Sequence, residues 1–340
     1  MDFLKPLFNT ELNSEGNIAI GGSLFERSRI LNELDPEAYA IYFTEWLEER
    51  KSRLIEKANL ILAQYGNDHR FGQLKKSFQF GQLRPFIGAG MSISSGYPAW
   101  TTFLYQLCVE SHIVKDDLEK LILMGDFEQA AQMLYDDLGA NLFNEYLQSV
   151  YSKGNDIVGP ILYLPVLFPN CSIITTNFDD ILDRLYIKEG KTGFDIVMSG
   201  AALDEVLRLL TDGSRLLIKL HGNCRIIRDR VLLKSEYDTH YANKGIVKKF
   251  FNGVLFGSSF LFIGCSLSID RTIKTMIEIV KENGAHTLPR HYTFLPLRKE
   301  DDRIDRSKKL AEANIFPIWY PDNEHDESIE ALLIKLKEDY

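Results

Sequence analysis

Arg84-Pro85-Phe86-Ile87-Gly88-Ala89-Gly90-Met91-Ser92 is a short apolar run that passes into small residues, and its reading decides the fold. A run of this length bounded by glycine reads as a buried strand. Small residues directly after a strand let backbone N–H groups approach a diphosphate, and Ser92 adds a hydroxyl donor. Taken alone, such a turn is structural more often than nucleotide-binding. No Gly-Lys-Ser/Thr follows, so the phosphate-gripping lysine of a P-loop is missing and ATP hydrolysis is disfavoured.

Outward from this stretch, further strands are expected at 172–176, 215–220, 260–264, 291–297 and 315–320. Helical patterns near 101–114, 126–138, 178–188, 202–210, 244–256 and 271–282 alternate with them. That alternation predicts an α/β fold, a Rossmann-like parallel sheet flanked by helices. The helix-only stretch of about 101–160 reads as a helical cap inserted after the first strand.

Ahead of this domain (81–340), residues 1–80 read as an N-terminal helical extension serving assembly. The first thirty or so residues look like a loose arm. A long helix follows, with Asp35 as cap, Pro36 in the first turn and Gly66 at the end. Leu47, Leu54, Ala58, Ile61 and Tyr65 share its buried face. Thirty residues would run about 45 Å, which suits a partner or a second copy as well as a helix lying across its own domain. At the other end, 329–337 reads as an amphipathic helix with Leu332, Leu333 and Leu336 inward.

The chain has 340 residues, 45% hydrophobic and 26% charged, an ordinary globular composition. Its 39 Lys and Arg against 48 Asp and Glu leave a net charge of −9, so no direct nucleic-acid binding is expected. Cys108, Cys171, Cys224 and Cys265 form no C-x-x-C pair, and the histidines other than His221 show no ligand spacing. No metal is therefore expected. The N-terminus lacks a basic segment followed by an apolar run, and no apolar stretch nears the roughly 20 residues that span a bilayer. A cytoplasmic location is expected.

Ligands of such folds bind at the carboxyl ends of strands. In Thr176-Asn177-Phe178-Asp179, the Asn and Asp can point into the crevice or cap the next helix. His221 ends Leu216-Leu217-Ile218-Lys219-Leu220 with Gly222 beside it, which favours a ligand-facing role over a satisfied core histidine. Gly264-Cys265-Ser266-Leu267 repeats the strand-to-small-residue pattern. Cys265 reads as a small apolar filler rather than a nucleophile, having no evident cation beside it.

Together, Gly88-Ala89-Gly90-Met91-Ser92 with Gly96-Tyr97-Pro98, Thr176-Asn177-Phe178-Asp179, Leu220-His221-Gly222 and Gly264-Cys265-Ser266-Leu267 resemble the NAD-binding signature series of the sirtuin superfamily. The resemblance covers about 84–325. More narrowly, Pro98-Ala99-Trp100, the acidic-Tyr segment Leu232-Leu233-Lys234-Ser235-Glu236-Tyr237 and the strand His291-Tyr292-Thr293-Phe294-Leu295 resemble the bacterial antiphage-defence effectors of that superfamily. Deacylating sirtuins carry a zinc module of two cysteine pairs and continue Pro-Asp-Phe-Arg after the glycine loop; this chain has neither.

The resemblance implies NAD as substrate and its hydrolysis to ADP-ribose and nicotinamide. By carry-over, Asn177 would position water and the nicotinamide ribose. Asp179 would favour the developing cation, and His221, with an ordinary pKa of about 6.5, would be the base. Gly88, Ala89, Gly90 and Ser92 would hold the diphosphate, with Gly264, Cys265 and Ser266 on the adenosine side. Pro98 and Thr176 would complete the site, and Trp100 would wall the nicotinamide pocket or belong to the core. The alternatives are NAD-dependent deacylation or ADP-ribosyl transfer, and a non-catalytic NAD or ADP-ribose sensing module. The chain ends soon after its last strand, leaving little room for its own sensor. Control is therefore expected from a homo-oligomer or a separately encoded partner, such as a HerA-type ATPase or a nucleotide-processing protein.

Overall fold

In a computed structural model of the protein, the N-terminal residues form ordered elements where a loose arm was expected. The description covers all residues except 189–191, 243–244, 268–270, 301 and 339–340, together with the side chains of 201, 202 and 204. The first residue of the helix expected at 244–256, and the side chain of Ala202, therefore lie outside the described residues.

Helix α1 (Lys5–Ser14) is followed by the antiparallel hairpin β1 (Ile18–Ile20) and β2 (Ser23–Phe25), and by α2 (Arg27–Leu34). Phe8 of α1 packs its ring on Tyr39, Phe43 and Trp46 of the long helix. These tertiary contacts order a segment whose own sequence has no clear period. The long helix, α3 (Pro36–Leu62), starts as expected: Asp35 accepts from Ala38 N–H at 3.0 Å and Pro36 fills the first turn. Its 27 residues span about 40 Å. Leu54, Ala58 and Ile61 are buried, but Leu47 is half-buried and Tyr65 is exposed, because the helix stops three residues before it. A further helix, α4 (Asn67–Gln79), leads into the sheet.

The main domain runs β3 (Leu83–Ile87), α5 (Trp100–Val109), α6 (Lys115–Leu123), α7 (Phe127–Tyr151), α8 (Leu164–Leu167), β4 (Ile173–Thr175), α9 (Ile181–Lys188), β5 (Ile196–Ser199), α10 (Val206–Thr211) and β6 (Leu216–Lys219). It continues with α11 (Lys234–His240), α12 (Ile246–Val254), β7 (Ser259–Ile263), α13 (Arg271–Asn283), β8 (His291–Leu297), α14 (Arg303–Glu312), β9 (Ile315–Pro321) and α15 (His325–Lys337). Seven strands form one parallel sheet in the order β5-β6-β4-β3-β7-β8-β9. The Rossmann-like α/β fold is as expected, with one strand more. Edge strand β5 escapes the sequence reading because it is only four residues long and half-open to solvent.

Both faces of the sheet are covered, which explains why its strands read as unbroken apolar runs. Side chains still alternate. Along β7, Leu261 and Ile263 enter the layer containing Phe103, Leu134, Phe178 and Leu332, while Phe260 and Phe262 enter the layer with Phe250, Met276 and Trp319. The stretch after β3 is helix-only, as expected, but α7 extends to Tyr151 across a kink at Gly139.

Leu332, Leu333 and Leu336 of α15 are buried as predicted, yet so are Ile329, Ala331 and Ile334. The helix is not amphipathic in place, because α3 lies over its outer side. Between them, Arg50 makes a paired contact with Glu330 at 3.1 and 2.6 Å, and Tyr163 Oη donates to the same carboxylate. Lys57 bridges Glu324 at 2.7 Å and Glu327 at 2.5 Å. Residues of α3 and α15 thus share one apolar layer with the sheet.

Candidate active site

Strand register brings the motifs to one level. Ile87 stands opposite Thr175 on one side and Ile263 on the other, and Thr175 stands opposite Lys219. The first residues beyond the strands, Gly88, Thr176, Leu220 and Gly264, therefore leave the sheet together. The chain turns to β4 on one side of β3 and later to β7 on the other, which makes this edge a topological switch point.

The glycines allow two turns to touch backbone to backbone. Gly88 N–H donates to Ile263 O at 2.9 Å, and Gly90 N–H to Gly264 O at 2.8 Å. A Cβ on Gly88 would fall 2.5 Å from Gly264 O and 2.7 Å from Cys265 Sγ. Gly264 has φ +70, and a Cβ there would meet Met91 N at 2.6 Å. Ala89, Gly90, Thr176, Gly264 and Cys265 are partly exposed and Ser266 is exposed, so they form a rim.

Below that rim lies a buried polar floor. Ser92 Oγ donates to Asp179 Oδ2 at 2.8 Å and accepts from Asn177 Nδ2 at 3.1 Å. Asn177 Nδ2 also donates to Gly88 O at 3.2 Å, and its N–H to Thr175 Oγ1 at 3.0 Å. Its Oδ1 is buried and has no hydrogen-bond partner among the described residues. A buried acceptor without a donor costs about 1–3 kcal/mol, so the atom suits a donor brought by a ligand. Asp179 does cap the next helix, accepting from Ile181 N–H at 3.1 Å, while its other oxygen serves the floor. Of the two readings of this residue, the helix cap is the one seen directly.

Burial raises the Asp179 pKa, opposed chiefly by Lys219 and by the Ser92 bond. Lys219 is itself buried, with Nζ 2.6 Å from Asp179 O and 3.7 Å from Asp183 Oδ2. The sequence reading passed over it. Its signal was a lysine between Ile218 and Leu220 in an otherwise apolar strand.

His221 faces a set of groups separate from the floor. Nε2 lies 2.8 Å from Tyr241 Oη and Nδ1 lies 3.4 Å from Tyr237 Oη, and Tyr241 Oη lies 3.0 Å from Thr272 Oγ1. Burial, aided by nearby His240, lowers its pKa to about 3. The ordinary value of about 6.5 does not apply, so the imidazole is neutral at physiological pH. Tyr241 and Thr272 had no sequence signal, lying 20 and 51 positions from the histidine. Trp100 stacks on Phe103 at 5.2 Å and leans on Phe178 at 6.0 Å, so its ring belongs to the cap's apolar packing. Pro98 O accepts from Tyr151 Oη at 3.3 Å.

A parallel sheet with polar groups at a glycine-lined switch point has the place where ligands of doubly wound folds bind, and residues 171–318 match the family model described as a SIR2-like domain. That match takes in three of the four strand ends behind the resemblance, those at Thr176, Leu220 and Gly264, and leaves out the one at Gly88. It is 25% identical over 223 residues to the NAD(+) hydrolase ThsA of Bacillus cereus (strain MSX-D12), covering 65% of this chain and 44% of that protein. It is 20% identical over 220 residues to the NAD(+) hydrolase ThsA of Acinetobacter baumannii (strain 532279), covering 65% and 43%. Defense-associated sirtuin 2 of Bacillus subtilis is 25% identical over 218 residues, covering 62% of this chain and 20% of that protein. The chain spans less than half the length of these curated relatives.

Among the described residues, no helix is long and apolar enough to cross a membrane, and no three His, Cys, Asp or Glu side chains gather as a metal group.

Proposed function

We propose that the chain hydrolyses NAD+ to ADP-ribose and nicotinamide, as a cytoplasmic effector of antiphage defence. The carrying observation is the buried, unpartnered Oδ1 of Asn177, whose amide is linked through Ser92 to the Asp179 carboxylate at the switch point. That atom suits a water or ribose hydroxyl beside the reacting carbon. The C1′–N bond breaks with its electron pair passing to the nicotinamide nitrogen, the water oxygen bonds to C1′, and the water proton is released. Asp179 faces the cationic side of an oxocarbenium-like state, where a preoriented charge in a buried site is most effective. Lys219, through the Asp179 carbonyl, holds the turn that carries it.

Neutral His221 accepts a hydrogen bond from a ribose hydroxyl or the water. The diphosphate would rest on the rim of Gly88, Ala89, Gly90 and Ser92, with Gly264, Cys265 and Ser266 toward the adenosine. Cys108, Cys171, Cys224 and Cys265 lie in four separate segments, which supports hydrolysis over zinc-dependent deacylation.

Control through a homo-oligomer or a separate partner, such as a HerA-type ATPase or a nucleotide-processing protein, is part of the same proposal. Ile41, Tyr42 and Leu60 on the outside of α3 are exposed and support it. A particle that stays at 39.0 kDa at every concentration, alone and with the candidate partner, would remove that part.

The activity is tested by following nicotinamide and ADP-ribose from NAD+, with and without the candidate partner. Asn177→Ala is expected to slow release about 100-fold, the scale of losing one preoriented polar group. Undiminished release by Asn177→Ala and His221→Ala would overturn the assignment.

A further inference from the structure

Resting on that reading, we propose that Tyr241 is a positioning residue for His221. Its hydroxyl holds Nε2 in the ligand-free chain and yields that nitrogen to a ribose hydroxyl when the dinucleotide enters. A neutral imidazole has one N–H donor and one acceptor nitrogen. If Nδ1–H faces Tyr237 Oη, Nε2 is the acceptor and Tyr241 O–H the donor at 2.8 Å, while Thr272 O–H donates to Tyr241 at 3.0 Å. The bonds then run in one direction, Thr272 to Tyr241 to His221 to Tyr237. A ribose hydroxyl offers Nε2 the same donor, so the exchange replaces one O–H···N bond by another.

The element carrying these rings is suited to move. Tyr237 lies in α11 and Tyr241 directly follows it, and α11 contains no buried residue. Its first turn is anchored by Glu236, which pairs with the buried Arg230 at 2.7 Å and accepts from Leu232 and Leu233 N–H at 2.8 and 3.0 Å, so any movement pivots there; the remaining contacts are polar and more exposed. Lys234 Nζ donates to Gln129 Oε1 at 3.1 Å, Ser235 Oγ to Gln132 Oε1 at 2.9 Å, and Arg271 joins Asp238 at 2.6 Å to Glu128 of the cap. Segments with few buried apolar contacts and exchangeable polar bonds open at low free-energy cost.

The test measures NAD+ binding by calorimetry and nicotinamide release for the wild-type chain, Tyr241→Phe and Thr272→Val. Removing the competing hydroxyl should tighten NAD+ binding about 3- to 10-fold, the scale of one net hydrogen bond, whereas a merely structural loss would weaken it. Thr272→Val, close to isosteric, should shift binding the same way by less, and it guards against a fold defect peculiar to Tyr241→Phe. Unchanged binding in both variants, or a fall in kcat without tighter binding, overturns the exchange while the hydrolase reading stands. A wild-type chain that neither binds nor cleaves NAD+ overturns that reading, and the exchange with it.

Discussion

Ser92 Oγ donates to Asp179 Oδ2 at 2.8 Å, tying the glycine turn after β3 to the turn after β4. The two residues are 87 positions apart in the chain, and both are buried. Through this bond the rim that would receive a diphosphate and the carboxylate that would face the nicotinamide are held in one frame.

Ser92→Ala removes a donor from a carboxylate that burial already disfavours as an anion, so the Asp179 pKa should rise further. Asn177 Nδ2 loses an acceptor in the same step. The expected cost is about 1–3 kcal/mol of stability in urea unfolding, with at least a tenfold loss of nicotinamide release. A variant of wild-type stability and activity would show that the bond positions nothing.

Two glycine substitutions separate close approach from backbone strain. Gly264→Ala places a Cβ 2.6 Å from Met91 N at φ +70, whereas Gly213→Ala, at φ +81, meets nothing within 4 Å. The second should cost about 1–2 kcal/mol for left-handed backbone alone. The first should cost about 2–5 kcal/mol, since overpacking is added, and should also disturb the rim. Equal melting points for the two would contradict the packing of the turns seen here.

The ion pairs between α3 and α15 should differ sharply in weight. Arg50 and Glu330 are mostly shielded, so Arg50→Ala strands a buried carboxylate and is expected to cost about 3–5 kcal/mol. Lys57 pairs with glutamates that are 43% and 46% exposed, so Lys57→Ala should cost under about 1 kcal/mol. Chemical denaturation of both variants checks this. A small effect of Arg50→Ala would mean that α3 docks on the domain only weakly.

Acid should destabilise the fold through buried neutral histidines. His291, stacked on Phe260 and accepting from Phe260 N–H at 3.1 Å, has its pKa lowered by burial to about 3, as has His221. Between pH 6.5 and 3 the unfolded chain takes up protons that the folded chain refuses. Stability conferred by the neutral rings is therefore complete above pH 6.5 and falls as pH drops through that window. The slope is up to about 1.4 kcal/mol per pH unit for each histidine. His291→Asn keeps an acceptor for Phe260 N–H and should flatten the slope by one such increment between pH 4 and 6. An unchanged slope would mean that His291 is protonated in the folded state.

By itself, the sequence determined six of the seven strands of the sheet and the strand ends proposed for ligand chemistry. Unbroken apolar runs between helical patterns specify a parallel sheet covered on both faces, and glycine or small polar residues straight after a strand mark its carboxyl end. Ser92, Asn177, Asp179 and His221 were legible for that reason. Tertiary structure alone decided how they group. Strand register brings Ser92, Asn177, Asp179 and the overlooked Lys219 into one buried floor, while Tyr241 and Thr272 arrive beside His221 from elements that share no pattern with it. It also decided the state of the histidine, since a pKa is set by the solvent a folded chain excludes. Finally, it decided what covers α15: the spacing of Leu332, Leu333 and Leu336 says that one face is apolar, but only the packed chain shows that α3 supplies the second wall and that the N-terminal segment is ordered against it.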